Sequence, residues 1–501
     1  MIRSMQSMTM RPLALLALAG AAACTPPAAV ATTEGQPAPQ SRPALQIVAQ
    51  QPGLAPVRPY TLPPVDDFRL SNGMRVVAVR QTTVPMVTAR LILGAGAEHE
   101  PAARNGVATL TANLLPEGTA AMSGPELAER MERLGAQFQA GAGLNTTFVA
   151  VTALKPVFGE ALRLAAAPVL APAFPERDFA RVRQQGITAH VQAQATVEGL
   201  ANETFARAVF APGAPYGRPA SGTAASLQGI TRDDVLQWHR AMYVPGNATL
   251  LLVGDLGADE ARRLAEEAFG SWRGTAAAPP RSSNPLQPVA STRVILVDRP
   301  GSVQSAIRIG QGSVGPEDPD YLRLTALTQV LGGGFNARIN QNLRERHGWT
   351  YGAFANYNPY RGAGTLLINS SVRTNATDSA VAESVREFRR IVDEAVPAEE
   401  LAGAAGNLAG SFPASVQTVQ GLAGRMQSLL VWGLPLDFYA TYGPRLAAFT
   451  PADITSVARG KLTPAALTIV VAGDLASIEA PIRALNLGPV EVWSPSGERV
   501  R

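Results

Sequence analysis

A segment that occurs twice constrains this chain more than any other feature. Ile230-Thr-Arg-Asp-Asp-Val leads through a helical stretch to Ala248-Thr-Leu-Leu-Leu-Val-Gly-Asp-Leu, and Phe449-Thr-Pro-Ala-Asp-Ile leads likewise to Ala466-Leu-Thr-Ile-Val-Val-Ala-Gly-Asp-Leu. Thr231 and Asp255 are 24 residues apart, and so are Thr450 and Asp474. A shared Gly-Asp-Leu ending is within reach of chance; a capped helix at the same distance before it is not. The spacing predicts two tandem homologous domains offset by about 219 residues, each one supersecondary design used twice. A chain of 501 residues is also too long for one ordinary core.

The boundaries follow from composition. Residues 1–23 read as an export signal, with Arg3 and Arg11 flanking a short apolar run from Pro12 to Ala23. That run is shorter than the ~20 apolar residues a membrane span needs. Cys24 is the only cysteine and follows Leu-Ala-Gly-Ala-Ala-Ala, which resembles a bacterial lipoprotein box except at Ala21, where leucine is usual. Ala21 and Ala23 equally fit plain cleavage before Cys24, so lipidation and simple secretion both stay open. Residues 24–60, rich in Pro, Ala, Gln and Thr, bury too little to fold and are expected to be a tether. The rest divides into a first domain at 61–273, a linker at 274–290, a second domain at 291–493 and a tail at 494–501. The expected setting is the periplasm of a bacterium, at a membrane if Cys24 carries lipid. The charge balance is +4, falling to +2 once Arg3 and Arg11 leave with the leader. No basic run has interleaved aromatics, so a nucleic-acid partner has no support.

Within the domains, strand and helix signals alternate. Phe68-Arg-Leu-Ser-Asn-Gly-Met-Arg-Val-Val-Ala-Val reads as strand, Asn-Gly turn, strand. Ser123, with Glu126 three residues on, opens a capped helix. The class is α+β, with antiparallel-rich sheets packed by helices.

Gly106-Val-Ala-Thr-Leu-Thr-Ala-Asn-Leu-Leu-Pro-Glu-Gly-Thr119 resembles the frame that carries the inverted zinc motif H-x-x-E-H in the pitrilysin/insulinase-type peptidases. In that family two histidines one helical turn apart converge on the metal, and a glutamate beside them is the general base. The matching positions here are Thr109, Ala112 and Asn113. The third ligand position, a glutamate some 76 residues further on in the family, falls on Ala189. A hydroxyl, an amide and two methyl groups make a poor zinc site. Of the four histidines, His99 and His190 could join a makeshift site with a carboxylate; loop or surface positions account for all four, His239 and His347 included, more simply.

A second stretch, Val330-Leu-Gly-Gly-Gly-Phe-Asn-Ala-Arg-Ile-Asn-Gln-Asn-Leu-Arg-Glu-Arg-His-Gly-Trp-Thr-Tyr351, resembles the family pattern around an Arg/Tyr pair. It reads as a helix from Asn336 to Arg346, a stop at Gly348 and a strand from Trp349 to Tyr357. The glycines at 332–334 lack the Lys-Ser/Thr of a phosphate loop and suit a turn approached closely by backbone. By resemblance, Arg344 and Tyr351 hold the substrate and the oxygen that becomes negative during attack, a task for hydrogen-bond donors. The likeness runs from about Asp67 to Asn486. It is to the short-chain type related to the mitochondrial processing peptidase, in which two such chains close into a chamber and one can carry the metal while the other carries the Arg/Tyr pair. The resemblance therefore implies half of a clamshell chamber: a non-catalytic subunit with no cofactor of its own. Its expected partners are a peptide and a homologous chain with intact H-x-x-E-H and bound zinc. The alternative is a peptide-binding or assembly scaffold with no part in proteolysis.

Overall fold

The duplicated segments end in two strands, Ala248–Gly254 and Thr468–Gly473, that take the same place in two six-stranded sheets. The computed structural model describes residues 59–274 and 283–501; the leader, Cys24 and the tether up to residue 58 lie outside the described residues. The first sheet runs Val65–Arg69, Arg75–Arg80, Ala248–Gly254, Met86–Leu93, Thr147–Leu154, Gln137–Ala142. The second runs Val490–Trp493, Arg293–Asp298, Thr468–Gly473, Gln304–Ser313, Ala363–Arg373, Thr350–Tyr360. In each sheet the second and third strands are parallel, and the pairings beyond them are antiparallel. The outermost strands differ: Val65–Arg69 is antiparallel to its neighbour and Val490–Trp493 is parallel. The α+β, antiparallel-rich class read from the sequence is the one observed.

Central strands such as Leu250-Leu-Leu-Val are apolar throughout because both faces are covered. On the first sheet, Val76, Ala78, Leu250 and Leu252 face one core, built with the helices Val107–Leu114, Lys155–Leu170, Arg232–Met242 and Ala258–Phe269. Val77, Val79, Leu251 and Val253 face the other way, onto Leu422, Met426 and Leu429 of the helix Val419–Trp432, which belongs to the second half. The second sheet repeats this. Val294, Leu296, Ile469 and Val471 face its own helices, while Ile295, Val297, Val470 and Ala472 pack on Leu200, Ala201 and Phe205 of the helix Val197–Val209, from the first half. Each half has lent the other a helix, and all described residues belong to one unit.

The exchanged helices begin alike. Thr196-Val-Glu-Gly-Leu-Ala and Thr418-Val-Gln-Gly-Leu-Ala share an N-cap threonine whose hydroxyl accepts the N–H of the glycine three residues on, at 3.1 and 3.0 Å. This repeat stands in the sequence beside the pair at Thr231 and Thr450, and marks the exchange.

Residues of the expected tether, linker and tail make contacts with the domains. Tyr60, at the end of the expected tether, packs edge-on against Phe412 at 5.2 Å. In the expected linker, Ala211 donates to the Pro285 carbonyl at 2.9 Å and Gln287 to that of Val209 at 2.8 Å; residues 275–282 lie outside the described residues. The expected tail folds back, with Val492 donating to the Arg501 carbonyl at 2.8 Å. Between the two halves, Arg361 at the tip of the second half's long hairpin enters the first half. Its carbonyl accepts the Tyr216 hydroxyl at 3.0 Å, and its guanidinium lies 3.6 Å from the buried Glu98 carboxylate. No described helix is long and apolar enough to cross a membrane.

Candidate functional site

Thr109, Ala112 and Asn113 lie on the helix Val107–Leu114, which packs against the end strand Gln137–Ala142 and against the helix Glu176–Gln194 that carries Ala189. The helix starts at Gly106, whose φ of +99° is left-handed and costs glycine little. A Cβ there would come within 2.8 Å of the Gly222 Cα, so the loop at 219–222 lies backbone to backbone on the helix start. That loop uses up the first motif position: the Thr109 hydroxyl donates to the Ala220 carbonyl at 2.8 Å. Ala112 is fully buried, while Asn113 and Ala189 are exposed.

These positions do not fit the zinc that the motif frame implies. They provide one engaged hydroxyl, one neutral amide and two methyl groups, none of them an imidazole or a carboxylate. Among the described residues no three His, Cys, Asp or Glu side chains gather to hold a metal ion. His99 and His190 have other surroundings. His190 Nδ1 is 4.0 Å from Glu203, and His99, pushed down to about 4 by burial and by the Arg361 charge, sits 3.6 Å from Glu98. His99 lies in the loop where the sequence placed it, with its side chain largely buried. His239 departs from the expected loop or surface position: it is on the helix Arg232–Met242 and largely buried, with Nε2 2.8 Å from the Val169 carbonyl. His347 stacks on Trp349 with ring centroids 4.1 Å apart.

The acid beside the motif frame is Glu100, whose role no local sequence pattern announces. Its carboxylate accepts N–H groups of Gly106 at 2.8 Å and Ala108 at 2.7 Å and the Asn105 amide at 3.0 Å, closing the N-terminus of the helix Val107–Leu114. Burial raises its carboxyl to about 7 from an ordinary 4.5, against these hydrogen bonds and the Arg218 charge. A raised carboxyl binds its proton more tightly folded than unfolded, so its stabilising contribution is full below 4.5 and is lost as pH rises to about 7. Relative to Glu100→Gln, the wild type should lose about 1.4 kcal/mol per pH unit at the steepest part of this window. Urea titrations from pH 4.5 to 8 read this directly; a wild type that gains stability relative to Glu100→Gln as pH rises would contradict it.

Arg344 and Tyr351 take shape differently from the expected single helix and plain strand. Residues Arg338–Asn340 make one α-turn, and Gln341–Arg346 continue as a wider π-turn, a form often found at functional sites. Gly348 stops the helix at φ +63°, as its position suggested. Gly332 also fits its reading, since a Cβ there would collide with the backbone nitrogen of Ala355. The strand Thr350–Tyr360 opens with a bulge between Thr350 and Ala353. Along it Ala353 and Ala355 face the core, and alternation would send Tyr351 the same way. The bulge turns Tyr351 out instead, to 92% exposure. The Arg344 guanidinium lies over the ring of Phe335, 4.5 Å from its centroid, and 3.5 Å from Glu345.

The chain is similar to known proteins over both of its halves. Residues 75–213 match the family described as Insulinase (Peptidase family M16), and residues 229–408 match the Peptidase M16 inactive domain. The chain is 23% identical over 422 residues to an uncharacterized zinc protease of Streptomyces coelicolor, covering 83% of this chain and 89% of that protein. It is 24% identical over 364 residues to the Helicobacter pylori protein named Non-peptidase homolog YmxG, covering 72% and 82%. The crystal structure of a peptidase M16 inactive domain from Pseudomonas fluorescens superposes with a TM-score of 0.77 at 26% identity, over 82% of this chain and 98% of that one. The inactive-domain match leaves out 109–113 and 189, so the missing ligands are a matter of the residues found there. With its two sheets, exchanged helices and motif frame, the chain is a peptidase-like scaffold and belongs to the insulinase (M16) family.

Proposed function

We propose that the chain is the non-catalytic subunit of a heterodimeric zinc metallopeptidase, exported to the periplasm and held at a membrane through Cys24. It grips a peptide and completes the active site of a homologous partner that carries H-x-x-E-H and the zinc. One contrast supports this reading. The positions that would hold a metal have no ligand among them, whereas Arg344 and Tyr351 are both present, and the bulge exposes Tyr351 although its place in the strand would bury it. An exposed phenol and a partly exposed guanidinium are donors suited to negative charge developing in another chain's site. The end strands Gln137–Ala142 and Thr350–Tyr360 offer backbone donors and acceptors to an extended peptide.

The test is reconstitution with the partner, assaying each chain alone and together. Activity should appear only in the partner or the pair and be higher in the pair. Arg344→Ala in this chain should lower turnover of the pair by about 100-fold without dissociating it, the usual effect of removing one donor to a developing oxyanion. Unchanged turnover would remove Arg344 from the site.

The name of the Helicobacter relative favours a second reading, a scaffold that binds peptide or assembles a complex without proteolysis. A stable homodimer that leaves every co-expressed peptidase unaffected would select it.

A further inference from the structure

We infer that Asn340 is a positioning residue, a single buried amide that sets Arg344 and Tyr351 relative to each other. The inference rests on the reading in which these two serve the partner's site. They stand on different elements, Arg344 on the π-turn Gln341–Arg346 and Tyr351 on the bulged end of the strand Thr350–Tyr360. Gly348, left-handed between them, closes the turn, its N–H on the Arg344 carbonyl at 2.8 Å and the Trp349 N–H on that of Leu343 at 3.0 Å, but the strand still bulges between Thr350 and Ala353.

Asn340 is 1% exposed and uses both ends of its amide. Its Nδ2 donates to the Phe335 carbonyl at 2.8 Å, and its Oδ1 accepts the Ala353 N–H at 3.2 Å. One side chain thus joins the end of the glycine-led loop, the turn from which Arg344 projects and the first regular residue after the bulge. Each arm leads to one member of the pair. Phe335 is 55% exposed, so core burial does not account for its ring, and that ring is what Arg344 lies over. Ala353 is the inner end of the bulge; at the outer end the Thr350 hydroxyl donates to the Ser371 carbonyl at 2.7 Å. With both ends held, the extra residue is forced outward, and Tyr351 with it. A plain aliphatic at 340 would fill the space and hold neither arm, which argues that the amide is there for geometry.

Two variants separate the arms. Asn340→Ala loses both; Asn340→Asp keeps an acceptor for Ala353 and loses the donor to Phe335. Both are made in the full chain, with urea titration to confirm folding. Hydrogen exchange at the Ala353 amide and kcat and KM of the reconstituted pair are then measured. In Asn340→Ala the Ala353 amide should exchange at least about tenfold faster, and kcat should fall about 10- to 100-fold with KM nearly unchanged, as for catalytic groups misplaced by about 1 Å. Asn340→Asp should keep most of the protection and still lower kcat, because the Phe335 arm is gone. A pair whose kcat responds to Arg344→Ala but stays at the wild-type level in Asn340→Ala overturns this assignment alone, as does unchanged exchange at Ala353. A pair inactive with the wild-type chain overturns the underlying reading and this assignment with it.

Discussion

Expressed without residues 283–501, the segment 59–274 should fail to unfold cooperatively, although it contains a whole sheet and its own helices. Val77, Val79, Ile92, Leu251 and Val253 are at most 6% exposed because residues of the second half cover them, those of the helix Val419–Trp432 together with Phe412, Val416 and Tyr439. Uncovering five such side chains forfeits roughly 1.5–3 kcal/mol each, of the order of 10 kcal/mol. Single domains have only about 5–15 kcal/mol in hand. The complementary segment should fail for the same reason, since Ile295, Val297, Val470 and Ala472 lose the helix Val197–Val209. Thermal melts by circular dichroism and dye binding to exposed apolar surface should report a molten first half, and co-expression of the two segments should restore a sharp transition. A sigmoidal, dye-silent melt of 59–274 alone would refute the exchange as a source of stability.

The second large effect is a sign reversal within one helix. A Cβ at Gly421 would lie inside contact distance of the Ser415 carbonyl oxygen, and one at Gly199 would meet the Ala193 carbonyl in the same way. Both are backbone atoms just before the caps, so relief means moving the chain. Gly421→Ala and Gly199→Ala should each lose about 2–4 kcal/mol, in the range of severe strain or overpacking. Gly424, three residues on in the same helix, has nothing within 4 Å of the place a methyl group would take. Gly424→Ala should gain about 0.5–1 kcal/mol from helix propensity alone. Urea midpoints of the three variants settle the matter. Equal effects at 421 and 424 would mean that helix propensity, and not the close approach, sets the cost.

The parts of this fold legible beforehand are those that neighbouring residues determine. The Asn72-Gly73 turn is one: Asn72 Oδ1 accepts the Met74 N–H at 3.1 Å, and Gly73 takes φ +86°. The Ser123/Glu126 capping box forms as read. The duplication was legible at Thr231 and Thr450 because cap, helix and strand recur at fixed spacing. The threonine–glycine caps of the exchanged helices recur as clearly, but nothing local says that a capped helix will cover the other half's sheet. The empty motif positions could be named from the frame alone. Glu100 and Asn340 could not, since a carboxylate six residues before a helix N–H and an amide thirteen residues before a strand N–H become partners only when the chain has folded. Tyr351 was named by resemblance, but its exposure was not legible: a bulge is a property of the paired strand, and simple alternation predicts the wrong face.

The traded helices also bear on how such a chain can be inherited. Asn113 and Ala189 lie at the surface and Thr109 is half-exposed, so among the four motif positions only Ala112 lies in the interior. Metal chemistry could therefore drain away from these sites while the architecture stayed intact. Deleting either ancestral copy would instead strip a wall from the survivor. A change of chemistry at the motif positions thus leaves the fold standing, whereas loss of either half does not.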